Sequence, residues 1–152
     1  MSARIIPASV EHVAVIAPRM READKDEVFA AVGRGPASAL LHSLRCSDLA
    51  YTVEYDGKPE LMFGCGTTNM IANVGAPWAL GTDAIERHPT HFLRGSLFWL
   101  REMRKRYTLL SNVVDDRNDA SKRWLEWLGF TLSDPRPYGY EQRPFRIFEM
   151  KA

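Results

Sequence analysis

The sequence predicts an α/β fold: a mixed, mostly antiparallel sheet with helices on both faces. Three observations carry that prediction. Tyr51, Val53 and Tyr55 alternate with Thr52 and Glu54, the period of two expected of a half-buried strand. Asp56-Gly57 follows directly, a pair suited to a tight hairpin turn. A strand, a long helix and another strand then succeed one another between Pro77 and Val114. That succession implies a parallel crossover within an otherwise antiparallel sheet.

Taken in order, residues 3–8 read as a short strand carrying Ile5 and Ile6. Ser9 precedes Val10-Glu11-His12-Val13 as a helix N-cap with an acidic first turn. This helix ends by Ala17, because Pro18 lacks an amide donor and restrains its predecessor. Residues 21–32 form a second helix, with Ala23, Glu27, Val28 and Ala31 at helical spacing and Gly33 as its stop. Pro36 opens a third, carrying Leu40, Leu41 and Leu44. After strand 51–55, residues 60–67 return as the hairpin partner and residues 77–83 make the next strand. The polar stretch 86–91 leads into a long helix ending at Tyr107. Leu93, Leu97, Leu100, Met103 and Tyr107 form its apolar stripe, widened by Phe92 and Trp99, with Arg94, Arg101 and Lys105 opposite. Residues 108–114 are a strand. Residues 118–128 are a helix with Ala120, Trp124, Trp127 and Leu128 inward, closed by Gly129 in a left-handed conformation. Residues 130–132 form a strand, Pro135, Pro137 and Gly139 a loop, and residues 145–150 the last strand.

Bulk properties narrow the function classes. A length of 152 residues suits one domain spanning residues 1–152. Twenty basic residues against nineteen acidic ones leave a charge of +1, which gives no electrostatic reason for nucleic-acid or membrane binding. No apolar run approaches the roughly 20 residues of a membrane span, and the N-terminus lacks a signal-peptide pattern. A cytosolic protein is expected. Cys46 and Cys65 lie outside metal or redox spacing and read as reduced, partly buried thiols. His12 and His42 read as surface residues.

The segment Asn118-Asp119-Ala120-Ser121-Lys122-Arg123-Trp124-Leu125-Glu126-Trp127-Leu128-Gly129-Phe130, with the order of elements along the whole chain, resembles the GNAT N-acetyltransferase superfamily. There an Asn after the fifth strand precedes a Gly-Phe pair that closes the next helix. A narrower pattern includes Gly64-Cys65-Gly66, Trp78-Ala79-Leu80-Gly81-Thr82-Asp83, Leu110-Ser111-Asn112-Val113-Val114 and Phe145-Arg146-Ile147-Phe148. It is similar to small podophage proteins of virion assembly or the virion interior. That resemblance implies a bacteriophage origin, a place in the host cytoplasm or the virion, and a host or phage protein as partner.

The superfamily resemblance implies acetyl-CoA as acyl donor, with its pantetheine arm between strands 77–83 and 108–114. Leu80, Gly81 and Thr82 would pair with the arm's amides. The pyrophosphate would rest at the next helix N-terminus, near Arg94, Gly95 and Ser96, with Asn118 and Ser121 from the later helix. The family's glycine-rich loop is here Arg87-His88-Pro89-Thr90-His91-Phe92-Leu93-Arg94-Gly95-Ser96, with Gly95 its one glycine. Arg87, His88, His91 and Arg94 would compensate with charge-assisted contacts. The family's Tyr general acid, seven residues past the Asn, is Leu125. Tyr138, with Tyr140 and Tyr107 as further choices, is the substitute acid if the fold brings it to the thiolate. Asp83 is the base candidate, with helix capping as the alternative role. Asp115 and Asp116 read as capping the 118–128 helix. The chemistry implied is transfer of an acetyl group to an amine. The alternative is a non-catalytic protein of the same fold.

Overall fold

The structure is a computed structural model and describes residues 2–152. The chain runs β1 (Ala3–Pro7), α1 (Val10–Ile16), a 3-10 turn (Ala17–Arg19), α2 (Glu22–Val32), α3 (Pro36–Arg45), β2 (Leu49–Tyr55), β3 (Lys58–Asn69) and β4 (Val74–Gly81). It continues with α4 (Ala84–Arg87), α5 (Pro89–Arg106), β5 (Leu109–Asp115), α6 (Asp119–Leu128), β6 (Thr131–Leu132), β7 (Arg136–Tyr138) and β8 (Arg143–Lys151). The strands form one sheet in the order β1-β2-β3-β4-β5-β8-β6, with β7 also paired to β8. Every pairing is antiparallel except β4 with β5.

Each face of the sheet carries its own core, as the alternation of β3 dictates. Leu61, Phe63 and Cys65 point to one face, where Trp99, Leu100 and Met103 of α5 and Leu125 and Leu128 of α6 cover them. Met62 points to the other, against Val13, Ile16 and Leu40 of α1 and α3. Helices therefore lie on both faces, as the sequence predicts.

Several local readings shift. The α5 stripe is rotated: Ser96, Trp99, Leu100 and Met103 are buried, whereas Leu97 is 47% exposed. On α6 the inward face is Trp124, Leu125 and Leu128, while Ala120 is exposed and Trp127 is 53% exposed. The i, i+4, i+7 row from Ser121 faces the sheet, and Trp127 lies one position off it. Residues 84–87 make a short helix that runs into the polar stretch 86–91, and α5 begins within that stretch, at Pro89. Arg136–Tyr138, read as loop, pairs with β8. Cys46 is exposed, and Cys65 is fully buried. His12 is half-buried, its Nδ1 lying 2.8 Å from Thr52 Oγ1 and accepting the Ser9 amide at 3.1 Å.

The parting of β4 from β5 has a covalent cause. Thr82 donates its amide to Glu60 of β3, so by strand alternation Leu80, Trp78 and Ala76 also turn their backbone groups toward β3. Gly81, Ala79, Pro77 and Gly75 turn theirs toward β5. Val74 and Gly75 pair with Leu109 and Leu110, and the ladder stops there. Pro77 comes next in this row and has no amide to donate. Its carbonyl is taken instead by the Asn112 side chain, Nδ2 donating at 2.8 Å. Beyond that bridge the strands diverge and leave a cleft.

The opposite rim of the sheet depends on a close approach at Gly66. A Cβ there would stand 2.3 Å from the Cys46 carbonyl oxygen. Gly66→Ala is therefore expected to destabilise the protein by about 1–3 kcal/mol through forced backbone movement. Denaturant titration checks this, and a variant within about 0.5 kcal/mol of wild type would contradict the close contact.

Candidate functional site

Helix α2 spans the diverging ends of β4 and β5 and satisfies groups on both. At its N-terminus Arg21 donates its amide to the Gly81 carbonyl at 2.9 Å. Asp24 Oδ2 accepts the Gly81 amide at 3.1 Å, and Asp24 Oδ1 pairs with Arg21 Nη2 at 2.7 Å. One turn later, on the same helix face, Glu27 Oε1 accepts the Asp115 amide at 2.8 Å and Asn118 Nδ2 at 3.4 Å. The edge of β4 thus retains one residue, Ala79, whose amide and carbonyl face the cleft with no partner among the described residues.

The cleft encloses about 210 Å³ and passes from the α2–α3 side of the sheet to the α5–α6 side. Glu27, Val28, Ala31 and Tyr138 border it on one side, and Ala79, Ser121, Trp124 and Leu125 on the other. Trp124 stacks on Trp99 with ring centres 5.5 Å apart and meets Phe92 at 4.9 Å. This aromatic row narrows the α6 side. A smaller cavity at the cleft mouth is lined by Arg21, Ile85, Phe92 and Ser121.

Electrostatics single out Glu27. Burial pushes its carboxyl up to about 7, and the nearby Asp24 and Asp115 carboxylates act in the same sense. The hydrogen bonds from the Asp115 amide and Asn118 pull the other way and lose. Burial raises Asp24 as well, against the pull of Arg21 and the Gly81 amide. Arg21 is itself nearly buried, and its Nε has no partner among the described residues. A carboxyl that titrates near neutrality beside an open cavity has the attributes of a general base.

The residues singled out from the sequence separate into those at the cleft and those elsewhere. Tyr138 borders the cleft, packed on Phe145. Ser121 borders it too, 3.4 Å from Arg21 Nη2. Asn118 is buried, and its side chain caps α6 through the Ser121 amide while reaching Glu27. The backbones of Leu80 and Thr82 face β3, and those of Gly81 are engaged by α2, so Ala79 takes the open position on that edge. Asp83 precedes α4, 66% exposed and 3.5 Å from Arg87, and does not border the cleft. Arg94, Gly95 and Ser96 lie in the second turn of α5 rather than at its N-terminus, because the helix starts earlier than expected. Tyr107 sits at the opposite end of β5 and donates to Asp48 at 2.7 Å. Tyr140 packs on Phe29 of α2. Leu125 is 4% exposed. Asp115 and Asp116 bind Arg117, and Lys122 with Arg146, through their side chains. No group of three or more metal-ligating side chains occurs among the described residues.

No protein-family model matches the chain, and no curated protein matches it. Solved structures do. Ard1 from Thermoplasma volcanium superposes with a TM-score of 0.76 at 14% identity, covering 100% of this chain and 99% of that one. An N-acetyltransferase from Staphylococcus aureus Mu50 gives 0.74 at 14% identity, with 99% of each chain covered. Mycobacterium smegmatis RimJ, in complex with CoA-disulfide, gives 0.72 at 15% identity, covering 99% of this chain and 82% of that one. The fold is that of the GNAT acetyltransferases.

The position of Glu27 has a consequence for stability. With a folded pKa near 7 and an ordinary carboxyl value near 4.3 when unfolded, the native state holds a proton that the unfolded state has lost. Stability therefore falls as pH rises through this window. Glu27→Gln removes that slope, so its stability relative to wild type should increase from pH 4 to pH 8. Melting curves across the range check it, and a constant difference would show that Glu27 titrates normally.

Proposed function

We propose that this protein transfers an acyl group, acetyl in the simplest case, from a CoA thioester to an amine held in the cleft, with Glu27 as general base. The observation that carries the reading is Glu27 itself. Its carboxyl titrates near neutrality and borders the same cavity as the unpaired backbone edge at Ala79.

The residues present fit an acyl-CoA. Ala79 offers one donor and one acceptor to an amide-bearing arm, between strands that cannot pair with each other there. Arg21, with its unpartnered Nε, and Ser121 stand at the cleft mouth, where donors to phosphate are needed. When bound, the thioester supplies an activated carbonyl. Glu27 accepts the proton that an incoming amine must lose, and the Asp115 amide and Asn118 keep its carboxylate oriented. Val28, Ala31 and Tyr138 give the acceptor side an apolar lining, suited to an amine with an apolar body. Leu125 donates no proton, so the leaving thiolate takes one from Tyr138 or from water.

The buried Leu125 and the aromatic row at Trp124 favour a second reading, in which the fold is retained without catalysis. A role in virion assembly, with a host or phage protein as partner, rests on the sequence resemblance alone.

Thiol release from acetyl-CoA with phenethylamine as acceptor tests the first reading. Turnover should rise with pH through about 7, and Glu27→Gln should lower it by roughly 10²–10⁴-fold and abolish that limb of the profile. Absence of acetyl-CoA binding in a calorimetric titration to millimolar ligand, or an unchanged profile in the variant, would favour the non-catalytic reading.

A further inference from the structure

A second cavity lies apart from Glu27, between the first turns of α5 and strands β1–β3. It encloses about 320 Å³ and is walled by Ile5, Val53, Phe63, Phe98 and Trp99. That volume falls at the lower end of small-molecule sites, roughly 300–1,000 Å³. At about 30 Å³ per water-sized unit it accommodates about ten such units. Its lining contains no acidic residue, and its one fully charged side chain is Arg94. Arg94 is exposed and makes no ion pair or hydrogen bond among the described residues, so its guanidinium stands free at the rim. His91 is the other exposed polar side chain there.

Gly95 supplies an independent observation. It sits within an 18-residue helix, where glycine is less favourable than alanine. Its φ lies outside the left-handed region, and an added Cβ would meet only Ile5 Cδ1, at an ordinary 3.8 Å. Neither backbone conformation nor packing requires glycine at this position. A side chain would instead project into the rim of the cavity, so the glycine keeps the entrance open.

We infer that this cavity binds an amphipathic monocarboxylate with a straight apolar chain of about eight carbons, its carboxylate on Arg94 and its chain against Phe63 and Trp99. The apolar bore excludes a second charge, and the free guanidinium at the rim selects an anionic head over a neutral one. The cavity shares Ala79, Trp99 and Trp124 with the cleft, but neither Glu27 nor a CoA thioester takes part in the inference, and its test is run without CoA.

Calorimetric titration with octanoate and with octan-1-ol, in the absence of CoA, tests it. Wild type should bind octanoate with a Kd on the order of 0.1 mM, as expected for about ten heavy atoms. Arg94→Gln should weaken octanoate at least tenfold and octanol less than twofold. Gly95→Leu should keep the wild-type melting temperature or raise it, and lose both ligands. Absence of octanoate binding to wild type would overturn the inference. So would retention of octanoate by folded Gly95→Leu, or equal losses for both ligands in Arg94→Gln. Should Gly95→Leu not fold, 8-bromooctanoate decides with wild type alone: quenching of tryptophan fluorescence on binding supports the site beside Trp99, and binding without quenching overturns it.

Discussion

The missing amide of Pro77 is the constraint on which the rest depends. In a parallel ladder every second residue of β4 must exchange hydrogen bonds with β5, and Pro77 occupies the first such position after Gly75. With no donor there, the Asn112 side chain takes over the carbonyl, and the strands part. A split sheet exposes backbone groups that cannot remain buried unpaired. The chain meets this need with α2, whose Asp24 and Glu27 bind the two loosened ends. The cleft opens where Pro77 ends the ladder, and α2 crosses it there with its carboxyls on the two loosened ends.

That solution carries an electrostatic cost. Asp24 has Arg21 beside it, and the ion pair opposes its burial without overcoming it. Glu27 has only hydrogen-bond donors and lies near two other carboxylates, so burial prevails and the group titrates near neutrality. The same side chain therefore secures the end of β5 and retains the proton affinity of a base. A packing role and the proposed catalytic role coincide here because both require a carboxylate turned inward.

Much of the architecture was legible in the sequence. Period-two alternation marked β2, Asp56-Gly57 marked the turn that returns β3 as its partner, and Asn118 to Phe130 marked α6 with Gly129 at a positive φ of 105°. Helix faces were less legible, because aromatic residues on both flanks of α5 and α6 widen the apparent stripe, and Leu97 and Trp127 prove to face outward. Pro77 was visible as the start of a strand, but its role as the end of a ladder depends on which neighbour it faces, a property of register. Glu27 had a local signal, an acidic residue at helical spacing within the apolar set Ala23, Val28 and Ala31. Its meaning emerged only once β5 was placed beneath it. Asp83, the base candidate at the end of strand 77–83, is 66% exposed and pairs with Arg87.

The split between β4 and β5 leaves the Ala79 backbone edge unpaired, and the proposed acyl-CoA would bind along it. Titration of the ¹⁵N-labelled protein with acetyl-CoA tests this most directly, through the amide resonance of Ala79. Binding along this edge gives a saturable downfield shift of that amide with slowed hydrogen exchange, while Leu80 and Thr82, already turned toward β3, change little. An Ala79 amide that neither shifts nor gains protection at saturating acetyl-CoA would contradict it.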